Sequence, residues 1–299
     1  MHGYPQRRDF QFEVDGKATN LALSLDPNVN RKFEMSPHSY AYTGRLPRDW
    51  RTDYYKMFLQ HRDDEATLRQ ILDQLRQLGG GEDEMVERVV AFVQGAISYD
   101  YATAHNIDQG QIRYPYETLW DGTGVCSDKS MLLAKLLLML GYGVSIMSFE
   151  RANHMAVGLK VPREHGQYRT EYAFVESTNY TRIGTVPERY AGGIRLDGRP
   201  QMVVVGGHKV YQQIAAQKQE EARLTSEFGK DYLNMNTAQR GLHERLTAMK
   251  AELKASERAI RGCKGTLPPD KYEECRRLTD KHNALVAEYN RLAAEFNRS

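Results

Sequence analysis

Cys126 stands where a Gly-rich turn meets the most hydrophobic helical stretch of the chain, in the segment Tyr114 to Ser130, YPYETLWDGTGVCSDKS. A thiol at that position feels the positive end of the helix dipole and the unpaired N–H groups of the first turn, which favour thiolate over thiol. Thiolate catalysis also needs a base within hydrogen-bond reach and a third group that orients the base. Both residue types follow in that order. His154 opens the apolar run Asn153-His154-Met155-Ala156-Val157-Gly158-Leu159, and Glu176 closes the run Phe174-Val175-Glu176. If the two runs are neighbouring antiparallel strands, the start of one lies beside the end of the other, and imidazole and carboxylate meet at one sheet edge. Taken singly, each residue has an ordinary structural explanation, since buried cysteines are common and a His or Glu at a strand end more often serves packing or solvation. Taken together in this order they point to acyl transfer, with Cys126 attacking a carboxamide, a thioester forming, and water or an amine resolving it.

The neighbourhood supplies further candidates. Gly122 and Gly124 let the turn fold tightly and let a substrate backbone approach. The backbone N–H of Cys126 is one expected oxyanion donor, with the second unidentified. Trp120, Tyr114, Tyr116 and Asn153 are candidate substrate-binding residues, as donors or cleft walls, against a plainer reading as buried packing. Asp128 reads as a helix-start acid or structural partner. One Cys with one His roughly 28 residues on is not a zinc pattern, and neither a phosphate-cradling GxxxxGK[ST] nor a dinucleotide GxGxxG motif is present. The chemistry requires no metal and no cofactor.

The elements that must position these groups are legible from periodicity. Phe10, Phe12 and Val14, then Asp15-Gly16, then Leu21, Leu23 and Leu25 predict a β-hairpin. The Tyr-rich stretch from Asp26-Pro27-Asn28 to about Arg62 reads as irregular or short-stranded. Leu68, Ile71, Leu72, Leu75 and Leu78 predict a helix ending at Gly79-Gly80-Gly81. Met85, Val86, Val89, Val90, Val93 and Ile97 predict a second, with Glu82, Asp83 and Glu84 in its first turn. A polar loop with Asn106 and Gly110 follows. Residues 126 to 140 are apolar nearly all round, which predicts a buried helix. After it come three β-like runs, Val144 to Phe149, His154 to Leu159 and Tyr172 to Val175. A buried helix laid on an antiparallel sheet is an α+β arrangement.

The blocks YPYETLWDGTGVCSDKSMLLAKLLLMLGYGV, NHMAVGL and YAFVESTNYTRIGTVP resemble the transglutaminase-like superfamily over roughly residues 64 to 190, under half of the chain. The resemblance implies a papain-related core in which a Cys on a central helix faces a His and an Asp on adjacent strands. It is nearest to the prokaryotic transglutaminase-like cysteine-peptidase branch, where a Glu can replace the Asp. It implies Cys126 as nucleophile, His154 as general base and then acid, and Glu176 as orienter of the imidazole, acting on a protein or peptide substrate. Hydrolysis, as in a cysteine peptidase or amidase, is favoured over transglutamination. The competing reading is a non-catalytic peptide-binding or assembly protein.

From about Tyr211 to residue 262 Gly and Pro almost vanish, which predicts one helix of ~50 residues, about 75 Å long. Leu242, Leu246, Met249, Leu253, Ser256, Ile260 and Cys263 step by fours and threes. After Pro268-Pro269 so do Cys275, Leu278, His282, Leu285, Tyr289, Leu292 and Phe296. The pattern predicts an antiparallel coiled-coil hairpin with its tip near 262–270, in which Cys263 faces Cys275 and can form a disulfide. The alternative is two small residues filling a reduced seam. The segment 211 to 235, with Ile214, Leu224, Phe228, Tyr232 and Met235, should pack on the globular part or on another subunit. The expected organisation is therefore an N-terminal β-containing extension (1–62), a catalytic core (63–205) and a helical hairpin (206–299) that recruits a protein partner or self-associates. A disulfide favours an oxidising compartment, periplasmic or secreted, with the cytoplasm as the alternative. The N-terminus MHGYPQRRDF carries no signal-peptide apolar stretch. A net charge of +2 from 41 Lys and Arg against 39 Asp and Glu gives no sign of a nucleic-acid surface, and no apolar run is long enough to span a bilayer.

Overall fold

Phe10, Phe12 and Val14 on Gln6–Val14 (β1) and Leu21, Leu23 and Leu25 on Lys17–Leu25 (β2) are buried, and the strands pair antiparallel with Phe10 opposite Leu21. The structure is a computed structural model that describes residues 4–14, 16–104, 111–187, 190, 195–229, 232, 235, 237–263 and 268–298. Asp15 of the expected turn, the loop residues Asn106 and Gly110, and residues 264–267 of the expected tip lie outside the described residues.

The stretch expected to be irregular instead holds two helices, Pro27–Glu34 (α1) and Trp50–Leu59 (α2). Asp26-Pro27 is a helix start here. The Asp26 carboxylate accepts from the Asn28 N–H at 2.8 Å, and Pro27 takes a first-turn position where a missing N–H is no loss. In α2 the buried Tyr55, Phe58 and Leu59 fall on one helical face despite the strand-like preference of aromatic residues. Glu65–Arg76 (α3) buries Leu68, Ile71, Leu72 and Leu75, and Glu82–Ala96 (α4) follows. Phe10 and Phe12 set their rings edge-on to Phe92 of α4 at 5.8 and 5.5 Å, so the N-terminal hairpin shares the central hydrophobic core.

Ser98–Tyr99 (β3), Tyr101–Ala104 (α5), Pro115–Asp121 (α6) and Thr123–Gly124 (β4) lead into Cys126–Met139 (α7). The α7 helix is buried from Asp128 to Leu137, including two lysines. Their ammonium groups are accommodated by oxygen partners: Lys129 donates to the carbonyls of Gln94 and Ile97 at the end of α4, and Lys135 to Asp64 and the His61 carbonyl. Val144–Phe149 (β5), His154–Lys160 (β6), Tyr172–Val175 (β7) and Gln201–Gly206 (β8) form an antiparallel sheet of order β7-β6-β5-β8, with α7 packed on β5 and β6. β8 carries this sheet across residue 205.

The chain divides into two compact units, Met1–Lys218 and Gln219–Ser299. The single long helix expected after Tyr211 is two: Ile214–Phe228 (α8) and Thr237–Ile260 (α9). α8 stops at Gly229, which takes φ +90, the left-handed conformation that ends helices at glycine. Ile214 is buried in the core of the first unit. In the second, Phe228 stacks on Tyr232 with ring centroids 4.6 Å apart, and the Phe228 carbonyl lies 2.9 Å from His243 Nε2 of α9. Pro269–Phe296 (α10) runs antiparallel to α9. Arg245 with Glu288 at 3.6 Å, Ser256 with His282 at 2.8 Å and Cys263 with Cys275 step in opposite directions along the two helices. The Cys263 and Cys275 sulfurs are 2.07 Å apart, a disulfide distance, leaving Cys126 as the free thiol. Among the described residues no helix is long and apolar enough to cross a membrane.

Candidate active site

Three local devices place the thiol. α6 ends on Gly122 at φ +66, where a Cβ would also lie 2.9 Å from the Arg8 guanidinium carbon. At Gly124 a Cβ would meet the Asp128 Cβ at 2.9 Å, so the chain turns into α7 with room only for hydrogen. Asp128 then closes the helix start: Oδ2 accepts from the Val125 N–H at 3.0 Å, and Oδ1 from the Arg113 N–H at 2.9 Å. Burial pushes this carboxyl up to about 6 against the pull of those two N–H donors and Arg113. Cys126 is the first helical residue, where the backbone N–H has no intrahelical acceptor.

The base arrives from the sheet. Glu150–Ala152 form a single 3-10 turn that ends on Asn153 in the left-handed region, φ 44 and ψ 47, a conformation Asn tolerates better than most side chains. That turn starts β6 at His154 and puts the Asn153 carbonyl 3.9 Å from Cys126 Sγ. His154 Nε2 lies 3.0 Å from Glu176 Oε2, immediately beyond the end of β7, as the antiparallel pairing of β6 and β7 requires. Nδ1 is thereby left for the thiol. Burial lowers the imidazole pKa, but hydrogen bonds to Cys126 and Glu176 and the charges of both outweigh it, holding the group at about 9. Glu176 is wholly buried. Its Oε1 accepts from the N–H groups of Ser177 and Thr178 at 2.9 and 2.8 Å and from the Thr178 hydroxyl at 2.7 Å. Burial favours the neutral acid, but His154, Tyr190 and the Thr178 N–H prevail and hold the carboxyl below its ordinary value.

A second set of buried polar groups ties the three carriers together. Ser130 donates to the Met155 carbonyl at 3.1 Å and lies 3.1 Å from the Ser177 hydroxyl, linking α7, β6 and the segment after β7. Gln94 of α4 donates to the carbonyls of Glu176 and Thr181 at 2.9 and 3.0 Å. Cys126 and His154 line a cleft of about 360 Å³. Tyr99, Thr103 and Ala104, together with Ser148, Phe149, Glu150, Asn153 and Met155, line it with them.

Of the residues singled out from sequence, the structure brings Cys126, His154 and Glu176 together and sets Asn153 in the cleft wall. It does not bring Tyr114, Tyr116 or Trp120 there. Tyr114 is buried among Phe33 and Phe58, with its hydroxyl on the Pro37 carbonyl at 2.8 Å. Tyr116 stacks on Phe33 and bonds the Asp26 backbone, and Trp120 packs half-buried against the core. These aromatics follow the inward face of α6 and its flanks, so closeness to Cys126 in sequence does not carry them to its side of the helix. Tyr99, Gln94, Ser130, Ser177 and Tyr190 carry no spacing signal and were missed. Among the described residues no group of three or more His, Cys, Asp or Glu side chains could hold a metal ion.

A family model described as a transglutaminase-like domain matches residues 67–168, which include Cys126 and His154 and end before Glu176. No curated protein and no solved structure matches the chain.

Proposed function

We propose that this chain, whose residues 67–168 match a transglutaminase-like domain, is a thiol-dependent acyl-transfer enzyme acting on protein or peptide amides. The observation that carries this reading is His154, held at 3.0 Å by a wholly buried Glu176 on one side and hydrogen-bonded to the helix-start thiol of Cys126 on the other. His154 takes the Cys126 proton as general base, and Glu176 orients the imidazole. Sγ attacks the carboxamide carbon, and the oxyanion forms in front of the free N–H groups at the start of α7. The C–N bond breaks, His154 gives its proton to the departing amine, and a thioester remains. His154 then takes a proton from water, whose oxygen attacks the thioester and releases the acid with the thiol restored. A lysine amine in place of water gives transamidation.

Hydrolysis is the favoured outcome, because the cleft is a groove whose hydroxyl-bearing lining, Thr103, Ser127 and Ser148, admits water to the thioester. In the same reading α9 and α10 form a coiled-coil hairpin that recruits a protein partner or a second copy, supported by the half-buried residues at seam spacing from Leu242 to Ile260 and from Leu278 to Tyr289, with Leu246 and Leu292 buried among them. The disulfide fits an oxidising compartment. The test is thioester capture. Incubation with glutamine-containing peptide amides and hydroxylamine should yield hydroxamates that disappear in Cys126→Ala, and omission of hydroxylamine should yield the free acid. Cys126→Ala retaining hydroxamate formation would contradict the assignment.

A further inference from the structure

Tyr190 donates its hydroxyl to Glu176 Oε2 at 2.5 Å, the same oxygen that His154 Nε2 meets at 3.0 Å. Its ring lies against the imidazole, with centroids 4.6 Å apart and planes at 50°. We propose that Tyr190 is a positioning residue for the Cys126–His154–Glu176 reaction, its hydroxyl sharing the carboxylate oxygen with His154 and its ring setting the plane of the imidazole. The proposal rests on the acyl-transfer reading of the site.

The two oxygens of the Glu176 carboxylate have different partners. Oε1 is already committed to two N–H groups and a hydroxyl, so its pull on His154 is exerted through Oε2. In a buried site an unshared Oε2 would hold the imidazolium proton strongly. Catalysis asks the opposite at one step, since His154 must release a proton to the departing amine. A neutral hydroxyl on the same oxygen disperses the carboxylate charge without adding charge of its own. A tyrosine serving only as packing would need its ring alone, whereas here the hydroxyl is aimed at the oxygen that orients the base. The other titratable groups facing this cluster are Cys126 and Lys129 from α7, Tyr99 from β3, and Tyr168 beside Tyr190. Of these, Lys129 supports the Glu176 charge but not through Oε2.

The experiment is an NMR titration of carbon-13-labelled histidine in the full chain, with the His154 signal identified by its loss in His154→Gln. Tyr190→Phe keeps the ring and removes the donor, so the upper His154 midpoint should rise by about one pH unit. In a Glu176→Gln background the same substitution should leave the midpoint in place, because the hydroxyl acts through the carboxylate. Tyr190→Leu, which removes the ring as well, should also release the imidazole plane and broaden or split its signal. An unmoved midpoint in Tyr190→Phe, or an equal shift in the Glu176→Gln background, would overturn the proposal. If the His154 midpoint ignores both Cys126→Ser and Glu176→Gln, the triad itself fails and the role of Tyr190 falls with it. A midpoint that answers to those two but not to Tyr190→Phe removes Tyr190 alone.

Discussion

The ammonium of Lys129, one turn beyond Cys126, is almost fully buried, and burial lowers its pKa to about 8 although the nearby Glu176 charge works the other way. In the unfolded chain the same group titrates near ~10.4. Between those two values the unfolded chain binds more protons than the folded protein, so the Lys129 contribution makes stability rise with pH across that window. Chemical melts of wild type and Lys129→Met should therefore differ in slope: from about pH 7.5 to 9.5 the wild type should gain about 1–2 kcal/mol relative to the variant. Parallel curves would mean that the lysine is not held down. At this scale the meeting of Cys126, His154 and Glu176 is legible because a helix-start thiol and two neighbouring antiparallel strands bring these residues to one sheet edge. Tyr190 was not, because a tyrosine after a loop is ordinary in sequence and only the fold sets its hydroxyl on Glu176. Tyr114 and Tyr116 show the reverse, since their hydroxyls are taken by the backbone of Pro37 and Asp26.

Elements were readable where burial imposes a period. The apolar spacing of α3, α4 and α7 matches the structure because each packs into the central core, and the runs of β5 to β7 are continuous because one set of their residues joins that core and the other a second cluster with Met147, Phe149, Ala156, Tyr172 and Phe174. They were unreadable where a local signal has two meanings. Asp26-Pro27 is a turn signal and a helix cap alike, and the carboxylate on Asn28 N–H decides it. Gly229 inside a polar helical run is tolerable in principle, yet takes φ +90 and ends α8. The Gly122 turn, which leads into Cys126, is another such position. Gly122→Ala must hold an alanine at φ +66 with its Cβ 2.9 Å from the Arg8 guanidinium carbon. We expect a loss of about 1–2 kcal/mol in melts together with slower thiol alkylation, because the strain falls on the turn that aims the sulfur. A variant as stable and as reactive as wild type would show that the turn does not set the geometry.

At the scale of the whole molecule, the candidate site and the disulfide lie in different units. Every residue of the candidate site, from Gln94 to Tyr190, lies in the unit Met1–Lys218, and the disulfide lies in Gln219–Ser299. The disulfide closes a short loop, sequence separation 12, so the chain-entropy contribution is at most about 3 kcal/mol. Replacing both Cys263 and Cys275 with Ser should lower the melting of the second unit and leave Cys126 alkylation unchanged. A loss of Cys126 reactivity in that variant would show that the two units act together. The sequence boundary at residue 62 rests on a change of periodicity, and the one at 205 on the shift in composition that follows it. The physical continuity that composition does not reveal is the packing of Phe10 and Phe12 on Phe92 and the pairing of β8 with β5.

Activation of the Cys126 thiol by His154 is read out by brief iodoacetamide treatment near about pH 6 without reductant, followed by peptide mapping. An ordinary thiol is mostly inert there. Selective labelling of Cys126 in the wild type, strong loss of labelling in His154→Ala, and recovery of Cys263 and Cys275 as one bridged peptide pair are expected. An accessible Cys126 that stays unlabelled, or that labels equally well without His154, would contradict this activation.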